Sequence, residues 1–332
     1  MSSKTSIIPT IDLSHFYNEG DDHQDAKKKT KEIIHQACTE YGFFQIVNHG
    51  VPLGLMSQAL ELSKAFFEYP EEEKRKSSPA SGAPLPAGYS RQPEHSADKN
   101  EYLLMFPPGS SFNVYPSNLS GFREILEETF SHLTKTGLLV EKILNDCLGL
   151  PPNFLHEYNH DRSWDFMVAL RYFPATNTEN TGISEHQDGN CITFVFQDEV
   201  GGLEVLKDGI WIPVIPTEGS LIVNLGDVIQ VLSNNKYKSA THRVVRQQGG
   251  RNRHSFPIVW LPKMNFVSTN STRFVITSDG EEESPLFVEL GLLVMEIVQI
   301  LFKSHLVSLM RGSFRFSQFI DVKEPNTEKE EQ

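Results

Sequence analysis

His186-Gln187-Asp188-Gly189 opens the stretch that decides the fold of this chain, and His242-Arg243-Val244-Val245 with Arg253-His254-Ser255 closes it. Side chains two residues apart on a strand point to the same face, so His186 and Asp188 can lie side by side. A third ligand must then come from elsewhere in the sequence, and His242 is the best candidate. The pattern predicts a metal site formed by His186, Asp188 and His242.

The ligand types narrow the choice of metal. Two histidines and one carboxylate on one face of an octahedron leave coordination positions open, as in non-haem Fe(II) oxygenases. The same three residues would also bind Zn, Mn or Co. An isolated H-x-D pair is more often an ordinary surface or core feature, so the prediction depends on the sequence around it.

Short strand patterns surround the candidate ligands. Residues 201–205 and 210–214 are typical of strands, and Asp208-Gly209 between them is a strong hairpin signal. Residues 219–227 predict a further strand that ends in a turn. Short strands with frequent turns and no helix between them favour an antiparallel barrel or jelly roll.

Arg253 and Ser255 form a second candidate site on the strand pattern after His242. An arginine fork with a neighbouring hydroxyl can bind a carboxylate through several hydrogen bonds. The alternative is a surface basic patch, because Arg243, Arg246 and Arg251 lie close by in the sequence. The distance from the candidate metal histidine favours the carboxylate site.

These motifs together resemble the plant-type 2-oxoglutarate/Fe(II)-dependent dioxygenase superfamily, which includes flavonoid, gibberellin and alkaloid oxidases and shares its fold with isopenicillin N synthase. Further segments match its N-terminal and barrel signatures: Ile8-Pro9-Thr10-Ile11-Asp12-Leu13, Tyr41-Gly42-Phe43-Phe44-Gln45-Ile46-Val47-Asn48-His49-Gly50-Val51-Pro52, Gln197-Asp198-x-x-Gly201-Gly202-Leu203 and Asn224-x-Gly226-Asp227-x-x-Gln230-x-x-Ser233-Asn234. The resemblance covers about residues 8–262. It implies a mainly β protein with a double-stranded β-helix (jelly roll) core flanked by α-helices.

The resemblance also implies cofactors and a reaction. Fe(II), 2-oxoglutarate and O2 would be required, with ascorbate as reductant, and a small apolar or aromatic specialised metabolite or hormone would be hydroxylated, desaturated or O-demethylated. Tyr172 occupies the place of a family tyrosine that contacts the 2-oxo acid, whereas Arg171 replaces a usual asparagine and could add a positive group near the pocket. Two alternatives stay open: an oxidase of the ACC-oxidase kind that uses no 2-oxoglutarate, and a non-catalytic small-molecule binder.

Composition limits the remaining classes of function. The chain has 332 residues, a net charge of −13 and 39% hydrophobic residues, enough for one large domain. The acidic balance argues against nucleic acid or an anionic membrane as a partner. Three cysteines at no metal spacing and no signal-peptide pattern favour a reduced, cytoplasmic location. We expect a monomer, a small core residue at Cys191 and a structural role for His49.

We divide the chain into an N-terminal helical region packed on the core (1–160), the jelly-roll core (161–262) and a divergent C-terminal segment (263–332). Helices are predicted at 24–41, 53–68 and 121–148, and an irregular loop at 77–100. In the C-terminal segment we predict a helix at 285–303 and an acidic tail at 324–332. Aromatic residues are candidates for the substrate pocket: Tyr89, Phe106, Phe112, Tyr115, Phe194 and Phe196.

Overall fold

A computed structural model describes residues 8–17, 24–81, 83 and 85–262 of the chain. The helices of this part are α1 (Ser14–Tyr17), α2 (Gln24–Glu40), α3 (Leu53–Phe67), α4 (Glu71–Arg75), α5 (Phe122–Leu148), α6 (Phe154–Tyr158) and α7 (Asp227–Leu232). The strands are β1 (Thr10–Asp12), β2 (Phe43–Val47), β3 (Gly88–Arg91), β4 (Asn100–Met105), β5 (Phe166–Tyr172), β6 (Thr181–His186), β7 (Ile192–Gln197), β8 (Leu203–Lys207), β9 (Ile210–Pro213), β10 (Leu221–Leu225), β11 (His242–Val245) and β12 (Arg253–Trp260).

The strands form two sheets. The larger has the order β1-β2-β10-β7-β12-β5-β4-β3, and the smaller has the order β6-β11-β8-β9. Neighbouring strands are antiparallel except for β1 and β2. One hydrophobic cluster joins residues of both sheets, such as Val168 and Leu170 with Val205 and Val244, so the sheets face each other. This is the expected double-stranded β-helix.

A second hydrophobic cluster joins the larger sheet to the helices. The alternation along β12 shows how one strand serves both layers. Phe256, Ile258 and Trp260 are fully buried and belong to the cluster on the helical side. Arg253 and Ser255, which alternate with them, point between the two sheets toward the candidate site.

Helix α5 packs closely against the larger sheet at Gly137, next to the ring of Trp260. A Cβ atom at Gly137 would lie 1.9 Å from Cζ2 of Trp260, so only glycine allows this approach. The helix ends at Gly149, whose φ of 67° is the left-handed conformation common at helix ends. Buried residues such as Leu126, Phe130 and Leu133 form its apolar face, as the sequence predicted.

The predicted core hairpin is confirmed. Asp208 and Gly209 have φ angles of 51° and 78° between β8 and β9, which a two-residue hairpin turn requires. The predicted irregular loop at 77–100 is wrong in part, because β3 and the start of β4 lie in it and extend the larger sheet. The short helix α7 between β10 and β11 was also not expected.

The predictions for the C-terminal segment concern residues that the structure does not describe. The helix at 285–303 and the acidic tail at 324–332 lie outside the described residues. Within the described part, none of the helices is both long and apolar enough to cross a membrane.

Candidate metal centre and co-substrate pocket

Three potential metal ligands meet at one end of the smaller sheet. His186 is the last residue of β6, and it pairs with His242, the first residue of β11. Asp188 lies in the turn after β6, not on the strand itself, so this turn brings it back toward His186. Oδ1 of Asp188 is 3.5 Å from Nε2 of His186 and 3.7 Å from Nε2 of His242. The three ligand atoms lie within 4.8 Å of one another, close enough for one ion to contact all of them.

Backbone carbonyls fix the orientation of both imidazoles. Nδ1 of His186 is 2.8 Å from the carbonyl oxygen of Ser184, and Nδ1 of His242 is 3.0 Å from that of Ala240. A carbonyl can only accept a hydrogen bond, so each Nδ1 carries the proton and each Nε2 keeps its lone pair. Both lone pairs are therefore available to a metal ion.

The carboxylate of Asp188 is oriented through its other oxygen. Oδ2 accepts a hydrogen bond of 2.6 Å from the Thr193 hydroxyl and one of 2.7 Å from Nδ2 of Asn224. These bonds leave Oδ1 directed at the two histidines. Such partners of metal ligands hold the ligand geometry and contribute to metal affinity.

Each of the three groups changes the pKa of the others, and a metal ion would displace any proton shared between His186 and Asp188. Burial opposes ionisation of Asp188, but the facing rings of His242 and His186 hold its pKa well below its usual range. Burial, reinforced by the neighbouring His186, lowers the pKa of His242 to about 4. Burial also acts to lower the pKa of His186, but its contact with Asp188 outweighs this and raises it. A carboxylate beside imidazole is the donor set of the facial triad.

The three ligands open into a cavity of about 220 Å³ between the two sheets. Its walls are largely apolar, with side chains such as Phe43, Leu104, Phe166, Val168 and Val259. Arg253, Ser255 and Tyr172 also line it. The structure thus brings all six site residues predicted from the sequence to one cavity.

Arg253 is held in a buried position at the wall of this cavity. Its side chain donates to Oγ of Ser255 at 3.0 Å and to Oε1 of Gln197 at 2.7 Å. The guanidinium lies 4.7 Å from the centre of the Tyr172 ring. Arg253 and Ser255 are 3% and 1% exposed, which rules out the surface basic patch considered as the alternative.

The environment of Arg253 fits an anionic ligand. Its Nε is buried and has no hydrogen-bond partner among the described residues. The two hydrogen bonds of the guanidinium go to the neutral groups of Ser255 and Gln197, and a buried cation gains from an anion that binds it directly. The distal carboxylate of a 2-oxo acid would supply that charge, so the residues present fit 2-oxoglutarate.

Arg171 does not contribute a positive group to the cavity, contrary to the possibility raised by the sequence. It alternates with Tyr172 on β5, so its side chain points to the opposite face of the sheet. There it pairs with Glu101 at 2.5 Å and with Glu68 at 3.0 Å. Its charge is already neutralised by these carboxylates.

The aromatic candidates for the substrate pocket lie elsewhere, because the cavity wall described contains none of the six. Phe194 and Phe196 face the helices, where Phe194 meets Trp260 edge to face and Phe196 stacks on Phe256. The others also have different partners. The hydroxyl of Tyr89 lies at hydrogen-bond distance from Glu101 and Glu71, and that of Tyr115 donates to Glu127. Phe106 contacts Trp164, and Phe112 packs at the surface beside Phe106.

The structural roles expected for His49 and Cys191 agree with their surroundings. Nε2 of His49 bonds to the carbonyl of Gly219, and its Nδ1 accepts from the backbone N–H of Val51. Cys191 is fully buried in the larger hydrophobic cluster.

Several residues of the site were missed by the sequence reasoning. Thr193, Asn224 and Gln197 orient Asp188 and Arg253, and Asp98 and Asn100 line the cavity. Asn224 and Gln197 stand in the barrel motifs recognised above, which could have suggested a role for them. Asp98 and Asn100 lie in a stretch that was taken for a loop, and the sequence gives no signal for them.

A jelly roll with two histidines, one carboxylate and a buried arginine in one cavity defines a non-haem iron oxygenase that uses a 2-oxo acid. Comparison with known proteins agrees. Residues 164–262 match the 2OG-Fe(II) oxygenase superfamily, and residues 8–111 match the non-haem dioxygenase in morphine synthesis N-terminal family. The chain belongs to the 2OG-Fe(II) oxygenase superfamily, and it is a dioxygenase dependent on Fe(II) and 2-oxoglutarate.

Three similar proteins illustrate the range of this family. Flavanone 3-dioxygenase 2 of Oryza sativa subsp. japonica is 33% identical over 281 residues, which are 82% of this chain and 78% of the relative. The 1-aminocyclopropane-1-carboxylate oxidase 5 of Arabidopsis thaliana is 31% identical over 295 residues, with 85% and 91% covered. The crystal structure of JOX2 in complex with 2OG, Fe and JA has a TM-score of 0.67 and 30% identity, with 77% and 75% covered.

Proposed function

We propose that His186, Asp188 and His242 bind the Fe(II) and that Arg253 and Ser255 bind the distal carboxylate of 2-oxoglutarate. One observation carries this assignment: the three metal ligands and the buried guanidinium line the same cavity. When bound, Fe(II) supplies the site for O2 activation, which is coupled to conversion of 2-oxoglutarate to succinate and CO2.

The protein contributes orientation and shielding. Asp188 and the two histidines present preoriented donor atoms to the ion, so little rearrangement is needed on binding. Arg253 and Ser255 would fix the far end of the co-substrate, and the Tyr172 ring would cover one side of it. The apolar walls exclude water from the place where the substrate is oxidised.

The substrate that we propose is a small apolar or aromatic metabolite or hormone. The apolar wall residues support this class, since they provide surface for a hydrophobic molecule and few polar groups to orient it. The relatives include a flavanone dioxygenase, and JOX2 is seen with JA. Hydroxylation, desaturation and O-demethylation all follow from removal of a hydrogen from such a substrate.

The test is a screen of metabolite pools for succinate release with Fe(II), 2-oxoglutarate and ascorbate. We expect succinate in a one-to-one ratio with an oxidised product, identified by mass spectrometry. The Asp188→Ala variant in the same pools is the control, because it lacks one proposed ligand. Succinate release that is the same in this control would contradict the proposed site.

The family and the complete ligand set favour this enzyme over the two alternatives that the sequence left open, an oxidase without 2-oxoglutarate and a non-catalytic binder. The same screen checks this directly, because the oxidase would form product without succinate and the binder would form neither.

We further propose a monomer located in the cytoplasm, and we keep the division into residues 1–160, 161–262 and 263–332. Light scattering of the purified chain tests the first proposal, and fluorescence microscopy of a tagged chain tests the second. The described strands β1–β4 lie before residue 161 and belong to the larger sheet, so the first region contributes more than helices.

A further inference from the structure

Among the described strands, β6, which ends in His186, pairs with β11 alone and so lies at the edge of the smaller sheet. Side chains from the start of β4 and the residues before it bind its outer side. Oδ1 of Asp98 accepts from the backbone N–H of Ser184 at 2.8 Å, and Nδ2 of Asn100 donates to the carbonyl of Gly182 at 2.9 Å. The backbone groups of residues 182 and 184 point to the same side of the strand, so these two side chains bind the side of β6 that faces away from β11.

The bonds of Asp98 continue to the proposed metal ligand. Oδ1 of Asp98 also accepts from the hydroxyl of Ser184 at 2.6 Å. The carbonyl of the same Ser184 accepts from Nδ1 of His186 at 2.8 Å. The position of this carbonyl sets the direction of the imidazole, so Asp98 acts on His186 through one intervening residue.

Asn100 links the same strand to the co-substrate wall. It pairs with Tyr172 across β4 and β5. A Cβ atom at Gly182 would lie 2.9 Å from Cδ1 of Tyr172, so β6 can approach this ring only because residue 182 is glycine. Asn100 therefore holds β6 against the wall that carries Tyr172.

Burial makes these contacts strong. Asp98 and Asn100 are 8% and 3% exposed, and both line the cavity. Bonds of a buried carboxylate to N–H and O–H donors are charge-assisted and compete little with water. Asp98 itself is not among the residues grouped around the metal position, and its hydrogen bonds to Ser184 are the contacts through which it can fix the geometry of His186.

We propose that Asp98 and Asn100 are positioning residues that hold the outer side of β6 and thereby aim His186 at the metal ion. This inference rests on the proposed ligand set. It gives Asp98, which precedes β4, and Asn100, the first residue of β4, an indirect part in metal binding.

The experiment measures binding of Mn(II) alone, by electron paramagnetic resonance under nitrogen without 2-oxoglutarate or substrate. Loss of a group that orients a metal ligand weakens metal binding by about 10- to 100-fold. We expect this loss for Asp98→Ala. In Asp98→Asn the amide oxygen can still accept both bonds, so most of the affinity should return. If Asp98→Ala does not fold, Asp98→Glu displaces the acceptor by one methylene and should show the loss instead.

Asn113→Ala is the matched control. Asn113 binds the backbone N–H and carbonyl of Phe106, just after the other end of β4, at 2.7 and 3.0 Å. This variant should lower the melting temperature of the metal-free protein and leave Mn(II) affinity unchanged. Equal weakening by Asn113→Ala, or normal Mn(II) affinity in folded Asp98→Ala, would overturn the proposal. His186→Ala in the same series separates the two ideas, because normal Mn(II) binding there would refute the ligand set itself.

Discussion

Replacing Arg253 by leucine tests the co-substrate site most directly. Leucine keeps an apolar side chain at a buried position but removes the charge and both hydrogen bonds, to Ser255 and Gln197. The variant should bind 2-oxoglutarate far more weakly and should bind the primary substrate with nearly normal affinity.

The size of the effect follows from the burial of the site. A hydrogen bond to a charged group contributes about 1.5–3 kcal/mol, and loss of one partner of a buried charged pair costs about 2–5 kcal/mol. With Arg253 only 3% exposed, we expect about 2–4 kcal/mol, which is a loss of roughly 30- to 1,000-fold in affinity. The remaining Ser255 hydroxyl alone is too weak to replace the guanidinium.

The assay is an anaerobic titration of the Fe(II)-loaded protein with 2-oxoglutarate, followed through the visible charge-transfer band of the chelate. Arg251→Leu is the control, because Arg251 lies on the preceding loop and pairs with Glu199 at the exposed surface. It should titrate like the unmodified protein. A normal 2-oxoglutarate affinity in Arg253→Leu, with weakened primary-substrate binding, would refute the co-substrate site and favour the oxidase reading.

Three other predictions follow from the site and its surroundings. Asp188→Ala, like alanine at either histidine, should abolish Fe(II)-dependent turnover in a folded protein, measured by succinate release and circular dichroism; turnover near normal would show that the carboxylate is misassigned. Arg171→Leu should lower the free energy of unfolding by about 3 kcal/mol, since it leaves buried Glu101 with one cation fewer, and the 2-oxoglutarate titration should not change; weaker 2-oxoglutarate binding would contradict the assignment to the outer face. Burial raises the pKa of Asp165 from 3.8 to about 7, so the folded state holds a proton that the unfolded state has lost. The free energy of unfolding of the protein, measured with urea, should therefore fall relative to that of Asp165→Asn as pH rises from about 4 to about 7. A difference between the two proteins that stays constant across that range would disprove this.

The fold was predictable where local signals agree with the tertiary structure. The motif around Asp208 and Gly209 requires positive φ angles, and the apolar spacing of α5 requires one buried face, so both were identified correctly. The strands β3 and β4 were not, because Ser, Pro and Gly in residues 77–100 indicate a loop. β3 pairs with β4, and β4 pairs with β5, a strand more than sixty residues away, so no local signal reports the partner on which this part of the sheet depends.

The chemical site was predictable in its charged groups and not in its supporting ones. The two histidines, the aspartate and the arginine stand in motifs of fixed order and spacing, which can be recognised in the sequence alone. Thr193, Asn224 and Asp98 act through hydrogen bonds whose partners are set by the path of the backbone in three dimensions. Phe194 and Phe196 were wrongly proposed for the substrate pocket, because they occupy the positions of β7 that face the helices.

The alternation of two neighbouring strands supports the site that we propose for the far carboxylate of 2-oxoglutarate. On β5 and β12, Tyr172 and Arg253 face the cavity, while Arg171 and His254 point away from it. Arg171 is bound to carboxylates on the outer face of the sheet. Among the described residues that line the cavity, Arg253 is the one arginine or lysine. A carboxylate entering this part of the cavity would therefore meet a single guanidinium at a fixed place, which is the position that we propose for the far end of 2-oxoglutarate.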